Sequence, residues 1–76
     1  MKICSSKEFG ALIKKVRKEQ GLTQSDLANA CRVSTGFISD LENGKPSSEL
    51  DKSLNVAAML GIRFEAYEPP KLNEPE

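Results

Sequence analysis

The sequence has no histidine and no tryptophan, and only two cysteines and 5% aromatic residues in 76 positions. Without histidine, the usual Cys/His zinc spacings and most acid–base or nucleophile–base chemistry drop out. Cys4 and Cys31 stand far apart and form no CxxC pattern. No apolar run approaches the ~18 residues needed to span a bilayer. No secretory leader is recognisable, so two reduced thiols in a cytoplasmic protein are the expectation. There is also no glycine-rich phosphate-cradling loop and no convergent pair of carboxylates. The expectation is a protein that is not an enzyme and carries no metal or cofactor.

A chain this short makes one domain and buries only about 60% of its unfolded surface, so oligomerisation is a natural means of further stabilisation. Its formal net charge is zero, from eleven basic and eleven acidic residues. That average hides an asymmetry. Residues 1–46 hold eight Lys/Arg against five Asp/Glu, and residues 47–76 hold three against six. A basic front could approach phosphates while the acidic back meets solvent or protein; ordinary solvation of helix surfaces gives the same count.

Helical periodicity dominates the first sixty residues. Phe9, Leu12, Ile13 and Val16 follow the i, i+3, i+4, i+7 spacing of one helix face, after Ser5-Ser6 as cap and before Gly21 as stop. This predicts a helix over about 6–20. Thr23 with Asp26 reads as a variant capping box for a second helix over about 24–31, with Leu27, Ala28 and Cys31 inward. Ser34 can cap a third over about 35–43, whose apolar positions are Phe37, Ile38 and Leu41. After a break at Pro46-Ser47-Ser48, a fourth helix over about 49–60 is expected to present Leu50, Leu54, Ala57, Ala58 and Leu60.

Residues 62–67 change rhythm. In Ile62-Arg63-Phe64-Glu65-Ala66-Tyr67, apolar and charged residues alternate at period two, which predicts a half-buried strand. One short strand has no mate elsewhere in the chain, so the same strand of a second subunit is the simplest partner, paired across a two-fold axis. An extended tail lying on the helices is the alternative. The expected fold is therefore mostly α: four to five helices over residues 6–61, one C-terminal β-strand over 62–67 that pairs in a dimer, and a flexible proline-rich tail over 68–76.

Residues 13–45 carry the most specific pattern. Val16-Arg17, Gly21-Leu22-Thr23-Gln24, Asp26-Leu27-Ala28, Val33-Ser34, Ile38-Ser39 and Leu41-Glu42-Asn43-Gly44-Lys45 together resemble the helix-turn-helix of the phage-repressor-like (Cro/C1, XRE-type) family. The likeness extends over about residues 9–61. It implies a protein that binds duplex DNA. The residue types suit the task. Ala28 is small where two short helices cross steeply. Thr23 and Gln24 stand at the start of helix 2, where free backbone N–H groups and the helix dipole favour a phosphate, and Gln24 adds a neutral donor.

Helix 3 is expected to enter the major groove by its first turn. Ser34, Thr35, Gly36, Ser39 and Asp40 then face base edges, and Asn43 and Lys45 hold the backbone at the far end. Thr35 offers a methyl to thymine, Ser39 can donate or accept, and Gly36 permits close approach. Asp40 can accept from a cytosine amino group or repel phosphates. No Arg, Asn or Gln supplies bidentate readout at the first positions, so part of the specificity is expected from DNA shape.

The resemblance also implies that Arg17 and Glu42 form a structural ion pair tying helix 1 to helix 3. Phe37 is open between core packing and contact with DNA. Cys31 reads as a small buried apolar residue. The departure from the family is Arg32, where glycine is common; a positive φ there costs an arginine about 1 kcal/mol.

Residues 44–67, with a fourth helix ending Leu60-Gly61-Ile62 and a terminal strand, resemble the antitoxins of HipAB-type toxin–antitoxin systems. That implies a homodimer with Leu60, Ile62 and Phe64 at its interface, a palindromic operator, repression of its own operon, and a HipA-like kinase toxin as partner. A stand-alone regulator (a restriction–modification controller or phage-type repressor) is the alternative within DNA binding. A protein-interaction module without DNA binding is the alternative outside it.

Overall fold

The computed structural model describes residues 2–46 and 49–70. Four helices follow in order: α1 (Ser6–Glu19), α2 (Gln24–Cys31), α3 (Thr35–Glu42) and α4 (Leu50–Met59). Local chemistry sets the starts of the first three. Ser5 is extended, and its hydroxyl accepts from the Glu8 N–H. At Thr23 the capping box is complete: Thr23 Oγ1 accepts from the Asp26 N–H at 3.0 Å, and Asp26 Oδ2 accepts from the Thr23 N–H at 2.9 Å. Ser34 Oγ accepts from the Phe37 N–H at 3.0 Å. Each hydroxyl satisfies a backbone donor that the first helical turn leaves unpaired. The break at Pro46-Ser47-Ser48 includes two serines outside the described residues, as does the tail from residue 71 onward.

One core serves all four helices. Ile13 from α1, Leu27, Ala28 and Cys31 from α2, Ile38 and Leu41 from α3, and Val56, Ala57 and Leu60 at α4 are buried together. Phe9, Val16, Leu22, Val33, Phe37 and Ile62 pack around them. Burial of this apolar surface, at roughly 25 cal/mol per Å², is the main stabilising contribution. Gln20 Nε2 also donates to the Leu60 carbonyl at 2.7 Å, which ties the end of α1 to the end of α4.

The approach of α1 to α3 depends on Gly10. A Cβ there would lie 2.1 Å from the Leu41 carbonyl oxygen and 2.9 Å from that of Glu42. Gly44 plays the matching part at the end of α3: its φ is +78°, and a Cβ would fall 2.7 Å from Lys7 Cα. The two glycines let the start of α1 lie directly against the last turn of α3.

Two expectations are corrected. The inward face of α4 is Ser53, Val56 and Ala57, continued by Leu60, whereas Leu50 is 65% and Leu54 43% exposed and Ala58 faces solvent. Apolar residues lie on more than one side of this helix. The register that wins puts a small hydroxyl inward, with Ser53 Oγ donating to the Glu49 carbonyl at 3.1 Å, and so loses no hydrogen bond on burial.

The second correction is the strand. Among the described residues there is none, and residues 62–70 run without ladder pairing. Ladder bonds need a second strand, and the described residues supply none. Ile62 packs against the core, and the Phe64 ring stacks on Phe9 with centroids 5.6 Å apart and planes at 22°. Leu60 is buried within its own subunit, because it continues the inward face of α4.

Candidate nucleic-acid interface

The α2–turn–α3 unit is held from both sides. Leu27, Ala28 and Cys31 pack against Ile38 and Leu41, and the chain reverses at Arg32, which caps α2 at φ 58° and ψ 42°. This is the left-handed conformation usual for glycine. The geometry returns two hydrogen bonds to α2: the Arg32 N–H donates to the Asn29 carbonyl at 3.3 Å and the Val33 N–H to that of Ala28 at 3.0 Å. Arg32 therefore adopts the glycine conformation, and the turn keeps the tight geometry. Its side chain is exposed at the end of α2.

On α3, Ile38, Leu41 and Glu42 face inward. Thr35, Gly36, Asp40 and Asn43 are exposed, and Ser39 is half-buried. At 100° per residue, Gly36, Asp40 and Asn43 lie nearly opposite the buried stripe, with Ser39 at its edge. Nothing but Ser34 Oγ, at 3.8 Å, lies within 4 Å of the Cβ position at Gly36. Ser34 is exposed, and its hydroxyl oxygen serves as the helix cap. Lys45 is exposed and pairs with Asp40 at 3.6 Å across open solvent, an arrangement worth little in stability but one that offsets the acidic charge on this face. Phe37 is half-buried against the core with Lys52 Nζ 5.9 Å from its ring centroid, so it points toward α4.

Behind this face lies a buried network. Glu42 Oε2 accepts from Arg17 Nε at 2.6 Å, and Oε1 accepts from Arg17 Nη2 at 3.0 Å. Arg17 Nη1 donates to the Leu22 carbonyl at 2.8 Å. Gln24 Nε2 donates to Glu42 Oε1 at 3.0 Å. The ion pair thus joins α1 to α3, and Gln24 brings in the first turn of α2. The side chains of Arg17 and Glu42 are 8% and 2% exposed. Burial alone would raise the Glu42 pKa, but hydrogen bonds from Arg17 and Gln24 and the charges of Arg17 and Lys14 outweigh it and hold the carboxyl below its ordinary range. The hydrogen bond to Glu42 raises Arg17 in turn, against the opposing effect of burial. The Thr23 backbone N–H, then its side chain, lowers Asp26.

Thr23 and Gln24 come together at the start of α2, and Ser34, Thr35, Gly36, Ser39, Asp40 and Asn43 along α3, with Lys45 just beyond. Ile62 and Phe64 lie apart from them, on the α1 side with Phe9 and Leu12. One structural residue, Gly10, and one structural contact, Gln24 with Glu42, escaped the sequence reading. Gly10 carries a legible signal, a glycine inside an otherwise helical pattern. The Gln24–Glu42 bond joins residues 18 apart and has no signal in spacing. Among the described residues no cluster of three or more potential metal ligands occurs, and no helix is long and apolar enough to cross a membrane. Cys4 is exposed; burial pushes the Cys31 thiol pKa up.

Comparison with known proteins agrees with this geometry. The helix-turn-helix family profile matches residues 13–67. The chain is 44% identical over 62 residues to an uncharacterized HTH-type transcriptional regulator, y4mF, of Sinorhizobium fredii, covering 82% of each. It is 45% identical over 67 residues to the ImmF control region 10 kDa protein of Bacillus phage phi105, covering 75% of this chain and 74% of that one. Among solved structures, a chain of a HipB-O4 20mer complex superposes with TM-score 0.80 at 26% identity, covering 92% of this chain and 99% of that one. A chain of a HipA-HipB-O2-O3 complex matches with the same score, identity and coverage.

Proposed function

The chain belongs to the helix-turn-helix family of DNA-binding transcriptional regulators, and from that premise we propose that it represses transcription by binding a palindromic operator as a symmetric homodimer. The observation that carries this reading is the exposed stripe of α3, free of core contacts and backed by a buried network that fixes α3 against α1 and α2. In the proposed complex α3 lies in the major groove. Thr35, Gly36, Ser39 and Asp40 meet base edges, with Ser34 at the helix start, and Asn43 and Lys45 approach the backbone at the far end. Thr23 and Gln24 receive a phosphate at the start of α2, and Arg32 can reach a neighbouring one. Asp40, already offset by Lys45, accepts from an exocyclic amine.

The homodimer reading rests on apolar surface. Leu50, Leu54, Met59, Phe64 and Tyr67 are all exposed, a large apolar area for a chain of this size. Ile62 and Phe64 are the proposed contacts with a second copy. The likeness to HipB chains over nearly the whole fold supports an antitoxin that represses its own operon and binds a HipA-like kinase toxin in the cytoplasm. The phage relative favours a second reading, a stand-alone immunity-type regulator.

A gel-shift titration against the DNA upstream of its own coding sequence, at two salt concentrations and with scrambled competitor, tests the proposal. The expected result is a selective shift that weakens steeply with salt, as counterion release requires. No shift from folded protein would move the fold to the protein-interaction module. Capture of a kinase-like neighbour gene product would separate the antitoxin from the stand-alone regulator.

A further inference from the structure

Glu42 holds more than Arg17. The ion pair already occupies both carboxylate oxygens, yet Oε1 accepts a further hydrogen bond, from Gln24 Nε2 at 3.0 Å. A carboxylate in this state only accepts, so the nitrogen end of the Gln24 amide must face it. Glu42 thus decides which way that amide is turned. One Nε2 hydrogen is consumed, and the other stays available at the first residue of α2. Arg17 is buried and commits one N–H from each of its three nitrogens to Glu42 or to the Leu22 carbonyl.

We infer that Glu42 is a positioning residue for DNA binding: through Oε1 it presets the Gln24 amide so that its second N–H meets a phosphate oxygen without reordering. This rests on the proposed phosphate contact at Gln24. An unanchored glutamine would have to lose its rotamer freedom and choose an amide orientation on binding, which weakens the complex. The arrangement also couples two contacts made by different helices. Glu42 closes α3 and Gln24 opens α2, so a recognition helix displaced in the groove moves the group that orients the phosphate contact.

The test is a mutant cycle on the full chain, measuring affinity for the operator duplex. The four proteins are the native chain, Gln24→Ala, the paired change Arg17→Met with Glu42→Leu, and all three changes together. Replacing both members of a buried ion pair by apolar residues of similar volume commonly preserves a fold, and circular dichroism verifies it. Gln24→Ala is expected to raise Kd about ten-fold in the native background. In the apolar background it should change Kd by less than about two-fold, within ordinary additivity error. An equal loss in both backgrounds would overturn the positioning role and leave the phosphate contact standing. No loss in the native background would instead overturn the phosphate contact, and the positioning role with it.

A measurement on the unaltered protein guards against misfolding of the variant. In the free protein one Gln24 Nε2 proton should resonate apart from solvent-exposed amides and exchange slowly, and operator DNA should shift the other. A pair of fast-exchanging protons at the shifts of ordinary solvent-exposed glutamine amides in the free protein would refute the inference.

Discussion

Replacing Gly10 by alanine adds one methyl group where α1 crosses the end of α3. The added carbon would sit 2.1 Å from the Leu41 carbonyl oxygen, 2.9 Å from the Glu42 carbonyl oxygen and 3.0 Å from the Glu42 carbonyl carbon. All three are backbone atoms, so no side-chain rotation can make room. To reach even a tight contact of 3.0 Å, the helices must part by about 0.9 Å. That movement strains the core around Ile13 and Leu41 and pulls Glu42 from Arg17. Overpacking of this kind costs about 3 kcal/mol, while better helix propensity returns about 1 kcal/mol. The net loss of about 2 kcal/mol lowers Tm by roughly 10 °C in a domain of this size. Thermal unfolding followed by circular dichroism measures it. Gly36→Ala is the internal comparison: its methyl enters open space on α3, so stability should rise by about 0.5 kcal/mol. A Gly10→Ala protein as stable as the native chain would refute the close approach of α1 and α3.

Stability should also fall in acid. Glu42 is held below the ordinary glutamate value of about 4.3, so its contribution is present above that pH and disappears as pH falls through the lower folded value. A flatter Tm profile below about pH 4.5 in Arg17→Met/Glu42→Leu is the expected check, the residual slope coming in part from Asp26. Arg32→Gly should raise stability by about 0.5–1 kcal/mol by relieving the left-handed backbone, seen as a Tm gain of several degrees. If Arg32 reaches a phosphate, the same change reduces the salt slope of DNA binding by about one. Phe64→Lys removes the stack on Phe9 and places a charge on the proposed dimer surface; sedimentation should shift from dimer toward monomer, with weaker operator binding. Unchanged sedimentation would remove residues 62–67 from the interface.

Most of the helical framework was legible because its signals are local. Ser5, Thr23 and Ser34 cap helices where a hydroxyl precedes an apolar period, and Arg32 takes the strained conformation that its place in the turn demands. Contacts between distant residues were not legible from spacing. Arg17 and Glu42 are 25 residues apart, and only the likeness to a known family pairs them ahead of the structure. The face of α4 was legible only in part: Ala57 and Leu60 lie inward as expected, but Leu50, Leu54 and Ala58 compete with Val56 for the same side, and the choice depends on how α2 meets that helix. Alternation in residues 62–67 says which side chains share a face. Strand pairing needs a second strand, and the described residues hold none. The outward set on α3 was readable by elimination once Ile38, Leu41 and Glu42 were inside, and Phe37 required the position of α4 to resolve.

In the proposed complex α3 reads bases while the start of α2 only holds the backbone. Selection from a randomised duplex pool tests it most directly, comparing the native chain with Thr35→Ala, Ser39→Ala and Gln24→Ala. The Thr35 and Ser39 changes are expected to alter the selected sequence, whereas Gln24→Ala weakens binding to all sequences alike. Thr35 and Ser39 variants that retain both the affinity and the base preference of the native chain would contradict it.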